Sequence, residues 1–247
     1  MKQNWFEKWF ESDDYLKVYQ HRDESEANLL VKLILNHVKL KPKSSILDIA
    51  CGAGRHSISF AKEGFNVIGF DISRNLLNYA RLKAEEKGLN IKFISSDVRT
   101  FSFDCKFDLS LNLFTSFGYF ESDDENLSVF KIASTHTKKG GYFVFDYFNT
   151  EYLKNNLVES SFENFGDFQI EQIRAIEGNR VNKKIRIIKN EIGAEYNESV
   201  QLYIYDWLKN SLKSFGFDII YMFGNYEGNQ FDIKTSPRII FICQKVS

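Results

Sequence analysis

Two glycines and an acid surround the end of one short apolar run, and their spacing suits a loop that binds a ligand with its backbone. Residues 48–56 read Asp-Ile-Ala-Cys-Gly-Ala-Gly-Arg-His, directly after the β-rich start Ser45-Ile-Leu. Gly52 and Gly54, one residue apart, let the chain approach a ligand before a helix begins. The N–H groups at the start of that helix would then face a carboxylate or phosphate.

A polar residue also follows each of the next three apolar runs: Asp71, Asp97 and Asn112. In an open α/β sheet, ligands bind outside the carboxyl ends of the strands, near the point where strand order reverses. Asp71 lies one strand–helix–strand unit beyond the glycines, where an acid accepts both hydrogen bonds of a ribose diol. An Asp at a strand end can also simply cap the next helix. The glycines and Asp71 in this order nevertheless indicate a nucleoside-binding site.

The residues around the glycine pair distinguish between two nucleoside cofactors. A dinucleotide fingerprint, G-x-G-x-x-G, needs a third glycine beside the pyrophosphate, and Ser57 holds that position. Asp48, four residues before Gly52, would lie close to the negative pyrophosphate. An acid there is better suited to a ligand with an ammonium group and a sulfonium. The residues therefore favour S-adenosylmethionine over NAD.

Short β-rich runs alternate with amphipathic helices over the first 150 residues and are predicted to position these side chains. The runs cover residues 45–50, 65–70, 91–94, 107–112 and 141–147. Such alternation predicts a parallel sheet with helices on both faces. One helix is predicted to begin after Asp23, a second after Ser73 with its exit at Gly88, and a third at the capping box Ser122-Asp-Asp-Glu125, ending at Gly140-Gly141.

After Asn149 the pattern changes to long alternating runs joined by turn signals, which predict an antiparallel meander. These runs cover residues 168–176, 180–189 and 195–205. The meander would form an insertion, 151–204, and either a lid over the pocket or a homodimer interface is compatible with it. The main domain would then comprise residues 1–150 and 205–247. Its last part is predicted to be a helix from Tyr205 to Phe215 and two strands at an antiparallel sheet edge.

Five motifs together resemble the class I S-adenosylmethionine-dependent methyltransferases. They are Ile46-Leu-Asp-Ile-Ala-Cys-Gly-Ala-Gly-Arg-His56, Gly69-Phe-Asp-Ile-Ser73, Ser96-Asp-Val98, Asn112-Leu-Phe-Thr-Ser-Phe-Gly-Tyr-Phe120 and Gly140-Gly-Tyr-Phe-Val-Phe-Asp146. The chain is most similar to small bacterial members with a β-rich insertion before the last helix, and the similarity includes Tyr15–Arg22 and Ser236-Pro-Arg238. The resemblance implies an α/β, Rossmann-like, doubly wound fold with a mostly parallel seven-stranded sheet, an antiparallel edge strand and a small antiparallel β insertion.

The resemblance also implies a set of cofactor-binding residues. They are Asp48, Ala50, Cys51, Gly52, Gly54, Asp71, Ile72, Asp97, Val98, Asn112 and Arg22. At the adenosine end, Asp71 would bind the ribose hydroxyls, Ile72 would pack on the adenine, and Asp97 and the Val98 backbone would contact its amino group and a ring nitrogen. At the methionine end, Asp48 and the Asn112 carbonyl would lie near the ammonium. Arg22 would reach the carboxylate, or form an exposed salt bridge.

The acceptor pocket is expected at the aromatic loop after the fourth strand. Its candidate residues are Phe114, Phe117 and Tyr119 of that loop and Tyr19 near the N-terminus. Aromatic walls suit a planar or apolar acceptor, or a cation held against π faces, although such a run is also typical of ordinary packing. Methyl transfer by direct displacement needs alignment and water exclusion more than a base, so no catalytic residue is assigned. Tyr119, His21 and His56 are the candidates if a base is used.

Charge and loop sequence favour a small-molecule acceptor. With 32 Lys+Arg against 33 Asp+Glu, the net charge is −1, which lacks the basic field of a strong nucleic-acid binder. Asn112-Leu-Phe-Thr also departs from the Asn/Asp-Pro-Pro-Tyr/Phe loop of many methyltransferases that act on nucleic-acid bases and protein amides. Three functions remain as alternatives: a cofactor-binding regulatory protein without transfer activity, a protein or nucleic-acid methyltransferase, and, disfavoured by Ser57, a nicotinamide oxidoreductase.

Cysteine use and the N-terminus indicate where the protein resides. Cys51, Cys105 and Cys243 lack the spacing of zinc sites or disulfide frameworks. Charges interrupt residues 1–10, so no signal peptide or membrane span is expected. The sequence therefore predicts a cytoplasmic monomer or homodimer with no metal and no membrane or nucleic-acid partner.

Overall fold

A computed structural model describes residues 4–19, 24–189 and 192–246. The strands are β1 (Ser45–Ile49), β2 (Asn66–Asp71), β3 (Lys92–Ser95), β4 (Phe107–Asn112), β5 (Thr137–Phe148), β6 (Ser160–Asn164), β7 (Gln169–Glu177), β8 (Arg180–Lys189), β9 (Ile192–Gln201), β10 (Phe217–Phe223) and β11 (Arg238–Lys245). The helices are α1 (Trp5–Phe10), α2 (Asp14–Val18), α3 (Glu24–His37), α4 (Arg55–Lys62), α5 (Arg74–Glu86), α6 (Asp123–Asn126), α7 (Ser128–His136), α8 (Thr150–Asn155) and α9 (Tyr205–Ser214).

The main sheet has seven strands in the order β10-β11-β5-β4-β1-β2-β3. Strands β1 to β5 pair in parallel, as βα alternation predicts. The antiparallel strand is β11, which pairs with β5 on one side and with the edge strand β10 on the other. Chain order reverses at β1, which lies between β2 and β4. The crevice for a ligand is therefore expected at the carboxyl end of β1.

Helices cover both faces of this sheet, so the fold is doubly wound as predicted. On one face Phe130 of α7 and Leu212 of α9 belong to a buried cluster with strand residues such as Phe143. On the other face Leu30 and Ile34 of α3 pack with the inner strands. The strands are apolar on both faces because neither face meets water.

The predicted helix start at Ser73 is confirmed, and the third predicted helix differs from expectation. The Ser73 side chain accepts a hydrogen bond from the Leu76 N–H at 3.1 Å. Ser122 makes no side-chain cap, and the helix is divided into α6 and α7. It ends at His136 and not at the glycines, because Thr137 already pairs with Phe107 in the sheet. Gly140 and Gly141 lie in an irregular stretch of β5 between two paired segments.

The meander forms a second sheet, here called sheet B, with four antiparallel strands in the order β6-β7-β8-β9. Strand β6, Ser-Ser-Phe-Glu-Asn, was not predicted, because it is a polar edge strand with little apolar–polar alternation in its sequence. One face of sheet B contributes Ile170, Ile185 and Ile187 to a cluster with Trp9 of α1. The N-terminal helices thus lie on sheet B.

No helix among the described residues is long and apolar enough to cross a membrane.

Candidate functional site

The loop after β1 is shaped by left-handed backbone at alternating residues. Ala50, Gly52 and Gly54 have φ of 56°, 53° and 74°. A Cβ at Gly54 would lie 2.9 Å from the Ala80 Cβ, so only glycine lets α4 pack against α5 there. A Cβ at Gly52 would meet only Leu76, at 3.9 Å. Gly52 therefore leaves open space in which a ligand can lie against the backbone.

Asp71 joins this loop to the start of α5. Its carboxylate accepts the Gly52 N–H at 2.8 Å and the Ser73 N–H at 2.9 Å. The side chain is largely withdrawn from water, at 7% exposure of the residue. Burial raises the pKa of Asp71 above its usual value, against the lowering effect of the backbone N–H groups. A ligand hydroxyl would meet a preorganised acceptor here, because both carboxylate oxygens are already oriented.

Asp71 borders a cavity, here called the first cavity, whose other walls are mostly apolar. Ile72 and Val98 line it together with Phe10 of α1. Asp97 also lines it, but its carboxylate is held by the Arg99 guanidinium, with Nη2 to Oδ2 at 2.6 Å. Burial alone would raise the pKa of Asp97, and the bonds and charge of Arg99 outweigh burial and lower it. Sequence reasoning missed this pair.

Asp48 lies in the second cavity, on the other side of the glycine loop, and is nearly inaccessible to water. The Ser57 hydroxyl donates to Asp48 Oδ2 at 2.6 Å. Burial raises the pKa of Asp48 to about 7, with a contribution from the charge of Asp71. Ser57, which the sequence marked only as a departure from a dinucleotide fingerprint, thus supplies the hydrogen bond that this buried acid needs.

His56 and Cys51 also line the second cavity. Burial, followed by the charges of Arg55 and Arg238, lowers the pKa of His56 to about 3. The imidazole is therefore neutral near pH 7 and a weak base. Burial raises the pKa of the Cys51 thiol well above its ordinary value, so this sulfur is not a nucleophile.

The two cavities are neighbours, since Tyr15, Ala50, Gly52, Ser116 and Tyr119 line both. Together they extend from Asp71 across the glycine loop to Asp48. Gly54 and Asn112 line neither cavity. The Asn112 amide lies behind the wall and donates to the Ile49 and Ser116 carbonyls at 3.1 and 3.0 Å. Its Oδ1 is a buried atom without a partner among the described residues.

The loop after β4 contains two consecutive left-handed residues near its start, Phe114 (φ 59°) and Thr115 (φ 61°). Such backbone is strained outside glycine and needs support from its surroundings. The support is Asp146, at 0% exposure: it accepts the Phe114 N–H at 2.8 Å and the Arg238 Nε–H at 2.6 Å. Tyr226 also donates to it, at 2.9 Å. The sequence motifs contained Asp146 and Arg238, but no pattern indicated their pairing.

The N-terminal helices cover the first cavity, to which Phe6 and Phe10 contribute. Glu11 accepts the Arg74 N–H at 2.6 Å at the positive end of α5. Ser73 Oγ donates to the Phe10 carbonyl at 2.7 Å. The docking of these helices on α5 was not predicted, because it joins residues about 60 positions apart.

A third cavity, of about 260 Å³, lies between the N-terminal helices, the loop after β4 and sheet B. Tyr15, Tyr19, Phe114 and Tyr119 line both this cavity and the second one. Arg180 of sheet B holds the loop in place by donating to the Gly118, Tyr119 and Phe120 carbonyls at 3.1–3.3 Å.

The structure thus brings most of the predicted site residues to one crevice. Phe117 differs from the other acceptor-pocket candidates because it borders the first cavity only, with its ring stacked on Phe130 in the core. Arg22 and His21 lie outside the described residues. The glycine loop lies at the carboxyl end of β1, where strand order reverses, and Asp71 and the buried Asp48 lie beside it. This arrangement defines a Rossmann-like protein with a nucleoside-cofactor site.

Comparison with known proteins identifies the family. A family model for the methyltransferase domain matches residues 40–199, and the chain therefore belongs to the methyltransferase-domain family. The resemblance to S-adenosylmethionine-dependent methyltransferases is confirmed.

Two relatives illustrate the range of similarity. A protein of Geobacillus sp. (strain WCH70), named provisionally as a methyltransferase, is 25% identical over 209 residues, which are 81% of this chain and 84% of the relative. The dTDP-3-amino-3,4,6-trideoxy-alpha-D-glucopyranose N,N-dimethyltransferase of Streptomyces venezuelae is 32% identical over 101 residues, 41% of each chain. The second match is thus confined to part of both proteins.

Two solved structures share the fold over almost the whole chain. An S-adenosylmethionine-dependent methyltransferase from Clostridium acetobutylicum has a TM-score of 0.80 at 21% identity, covering 94% of this chain and 96% of its own. The CcbJ methyltransferase from Streptomyces caelestis has a TM-score of 0.83 at 13% identity, with coverage of 98% and 99%. The fold of this chain is therefore shared with these two methyltransferases over almost its whole length.

Proposed function

We propose that this methyltransferase transfers a methyl group from S-adenosylmethionine to a nitrogen or oxygen nucleophile of a small-molecule acceptor. The observation that carries this proposal is the arrangement of the cavities. Two of them flank the glycine loop, and the third shares four aromatic side chains with the second. The names of two relatives specify such chemistry for those proteins: the N,N-dimethylation of an amino sugar and O-methylation in ubiquinone biosynthesis.

The residues present fit the cofactor. Asp71 would accept the ribose hydroxyls, and Ile72 and Val98 would pack against the adenine in the apolar first cavity. Asp97 would accept from the adenine amino group while keeping its bond to Arg99. Asp48 would face the ammonium group in the second cavity, beside the open backbone of Gly52.

When bound, S-adenosylmethionine supplies an electrophilic methyl group on a sulfonium. The chain contributes position and an apolar environment. The aromatic rings of Tyr15, Tyr19, Phe114 and Tyr119 line both the second and the third cavity, where they would help to exclude water from a direct displacement. With a pKa of about 3, the neutral His56 imidazole is too weak a proton acceptor near pH 7, so we assign it no base role. An amine acceptor would enter deprotonated.

A methyl-transfer assay across amines, phenols, carboxylates and sugars, with detection of S-adenosylhomocysteine, tests the proposal. We expect turnover with at least one small acceptor and none with DNA, RNA or protein. Binding of S-adenosylhomocysteine without turnover across the whole panel would favour a cofactor-binding protein that performs no transfer.

Binding of S-adenosylhomocysteine is expected to weaken as pH falls from 7.5 to 5.5, approaching tenfold for each unit below the Asp48 pKa of about 7. The reason is that the ammonium favours ionised Asp48, so binding releases a proton. Calorimetric titration across this range measures the effect. In Asp48→Asn the dependence should disappear, and an unchanged slope in that variant would contradict the role of Asp48.

The raised pKa of Asp48 also affects the stability of the ligand-free protein, with a pH dependence opposite to that of ligand binding. Folded Asp48 retains its proton to about pH 7, whereas the unfolded chain loses it near 3.8. The stabilisation is therefore complete below pH 3.8 and is lost as pH rises towards 7.

A further inference from the structure

A row of charged residues across sheet B lines the third cavity and bears on which acceptor could bind there. Arg174 of β7 is directly opposite Lys183 of β8, and Lys183 is directly opposite Glu198 of β9. Directly opposed residues project from the same face of a sheet. All three line the third cavity. The row therefore presents two cations and one carboxylate to a ligand in the third cavity.

Glu198 already forms an ion pair with Lys183. Their charged atoms are 2.6 Å apart, and the side chains are only 13% and 16% exposed. Trp9 Nε1 donates to Glu198 at 2.7 Å, and Tyr19 also donates to it. Burial alone would raise the pKa of Glu198, but Lys183 and these hydrogen bonds lower it. Glu198 therefore favours its ionised form, and Lys183 balances its charge.

Arg238, the third cation of the cavity, is neutralised in the same way by Asp146, at 2.6 Å. Arg174 differs from both. It donates to the Gln172 side chain at 2.7 Å, to Ser161 Oγ at 3.2 Å and to the Val158 carbonyl at 3.3 Å. These are neutral acceptors, and within residues 4–19, 24–189 and 192–246 no carboxylate pairs with Arg174. Its charge is therefore uncompensated within the described cavity.

The position of Arg174 also has an energetic cost. Like charges directly opposite each other in a sheet are destabilising, and Arg174 faces Lys183 in this way, although Glu198 reduces the repulsion by pairing with Lys183. The hydrogen bonds that Arg174 donates to the neutral Gln172 and Ser161 side chains hold the guanidinium in place despite this repulsion. A negative group between Arg174 and Lys183 would relieve it. The rest of the cavity is aromatic and aliphatic, with Trp5, Phe148 and Leu153 among its walls.

From these contacts we infer that the methyl acceptor carries an anionic group, a carboxylate or a phosphate, which Arg174 binds while an apolar or planar body occupies the aromatic part of the cavity. The inference rests on the proposed function, because it places the acceptor in the cavity next to the cofactor. Arg174 is then a specificity-determining residue. It acts on acceptor binding and leaves cofactor binding unchanged.

Matched probe pairs test this inference on protein saturated with S-adenosylhomocysteine. The carboxylate arm compares phenylacetate with phenylacetamide, and the phosphate arm compares phenyl phosphate with phenol, with dissociation constants from ligand-observed NMR. In at least one arm we expect the anion to bind about tenfold more tightly, the size of one charge-assisted hydrogen bond. The arm with the larger preference identifies the anionic group.

Arg174→Met should reduce the preference to less than about threefold, and Arg174→Lys should retain part of it. Arg186→Met is the matched control, because Arg186 lies on the opposite, exposed face of β8. The affinity for S-adenosylhomocysteine should be equal in all variants. Absence of an anion preference in both arms, or its persistence in Arg174→Met, would overturn the inference. Failure of the unmodified protein to bind S-adenosylhomocysteine would instead overturn the proposed function beneath it.

Discussion

Replacing Asp71 with alanine is expected to weaken S-adenosylhomocysteine binding about 100-fold. A hydrogen bond to a charged group contributes about 1.5–3 kcal/mol, and the ribose diol would lose two of them. A loss of roughly 3 kcal/mol in binding free energy corresponds to an affinity about 100-fold weaker. The Gly52 N–H would also lose its acceptor, so the glycine loop would be less well ordered. The effect therefore combines direct contact with preorganisation.

Thermal denaturation with ligand measures this loss. A ligand present at about 100 times its dissociation constant stabilises the folded protein by about 2.7 kcal/mol, and the same concentration gives only about 0.4 kcal/mol after a 100-fold loss of affinity. Asp71→Asn, which keeps one acceptor oxygen, should be intermediate. Asp167→Ala removes an exposed carboxylate in a turn and should behave like the unmodified protein. A shift of normal size in Asp71→Ala, or a comparable shift with NAD, would refute the assignment.

Arg238→Met is expected to destabilise the folded protein by about 3 kcal/mol. The substitution leaves the fully buried Asp146 carboxylate without its cationic partner, and removing one member of a buried pair typically costs about 3–5 kcal/mol. The lower value applies because the Arg238 side chain is 19% exposed. For a chain of this length the melting temperature should fall by roughly 6–12 °C. The strained Phe114–Thr115 backbone should relax, with loss of methyl transfer.

The matched comparison is Lys138→Met, which breaks a surface pair with Asp108 and should cost less than about 1 kcal/mol. Combining Arg238→Met with Asp146→Asn removes both charges and should recover part of the lost stability. Urea denaturation of the unmodified protein, Arg238→Met, Asp146→Asn and the double variant determines the coupling, with Lys138→Met measured alongside. Equal losses for Arg238→Met and Lys138→Met would show that the buried pair does not hold the loop.

Local patterns were sufficient for the parallel half of the molecule. Strand β4 begins and ends at the predicted residues, and α5 begins at its predicted cap. These elements are recognisable because apolar periodicity and capping depend on residues a few positions apart. The predicted end of the third helix was wrong because it depends on a distant contact. Thr137 pairs with Phe107 in the sheet, thirty residues away, so α7 ends before the Gly140-Gly141 signal is reached.

The sequence by itself determined the glycine loop, the acids at the strand ends and hence the family, because the carboxyl ends of parallel strands must meet at one edge. The tertiary structure decided what surrounds them: the Asp97–Arg99 pair, the Ser57 bond to Asp48, the Asp146–Arg238 support of the loop and the row from Arg174 to Glu198. These contacts join residues that lie from two positions apart, for Asp97 and Arg99, to 92 positions apart, for Asp146 and Arg238. Their partners are selected by packing and burial in three dimensions, for which no spacing along the chain is diagnostic.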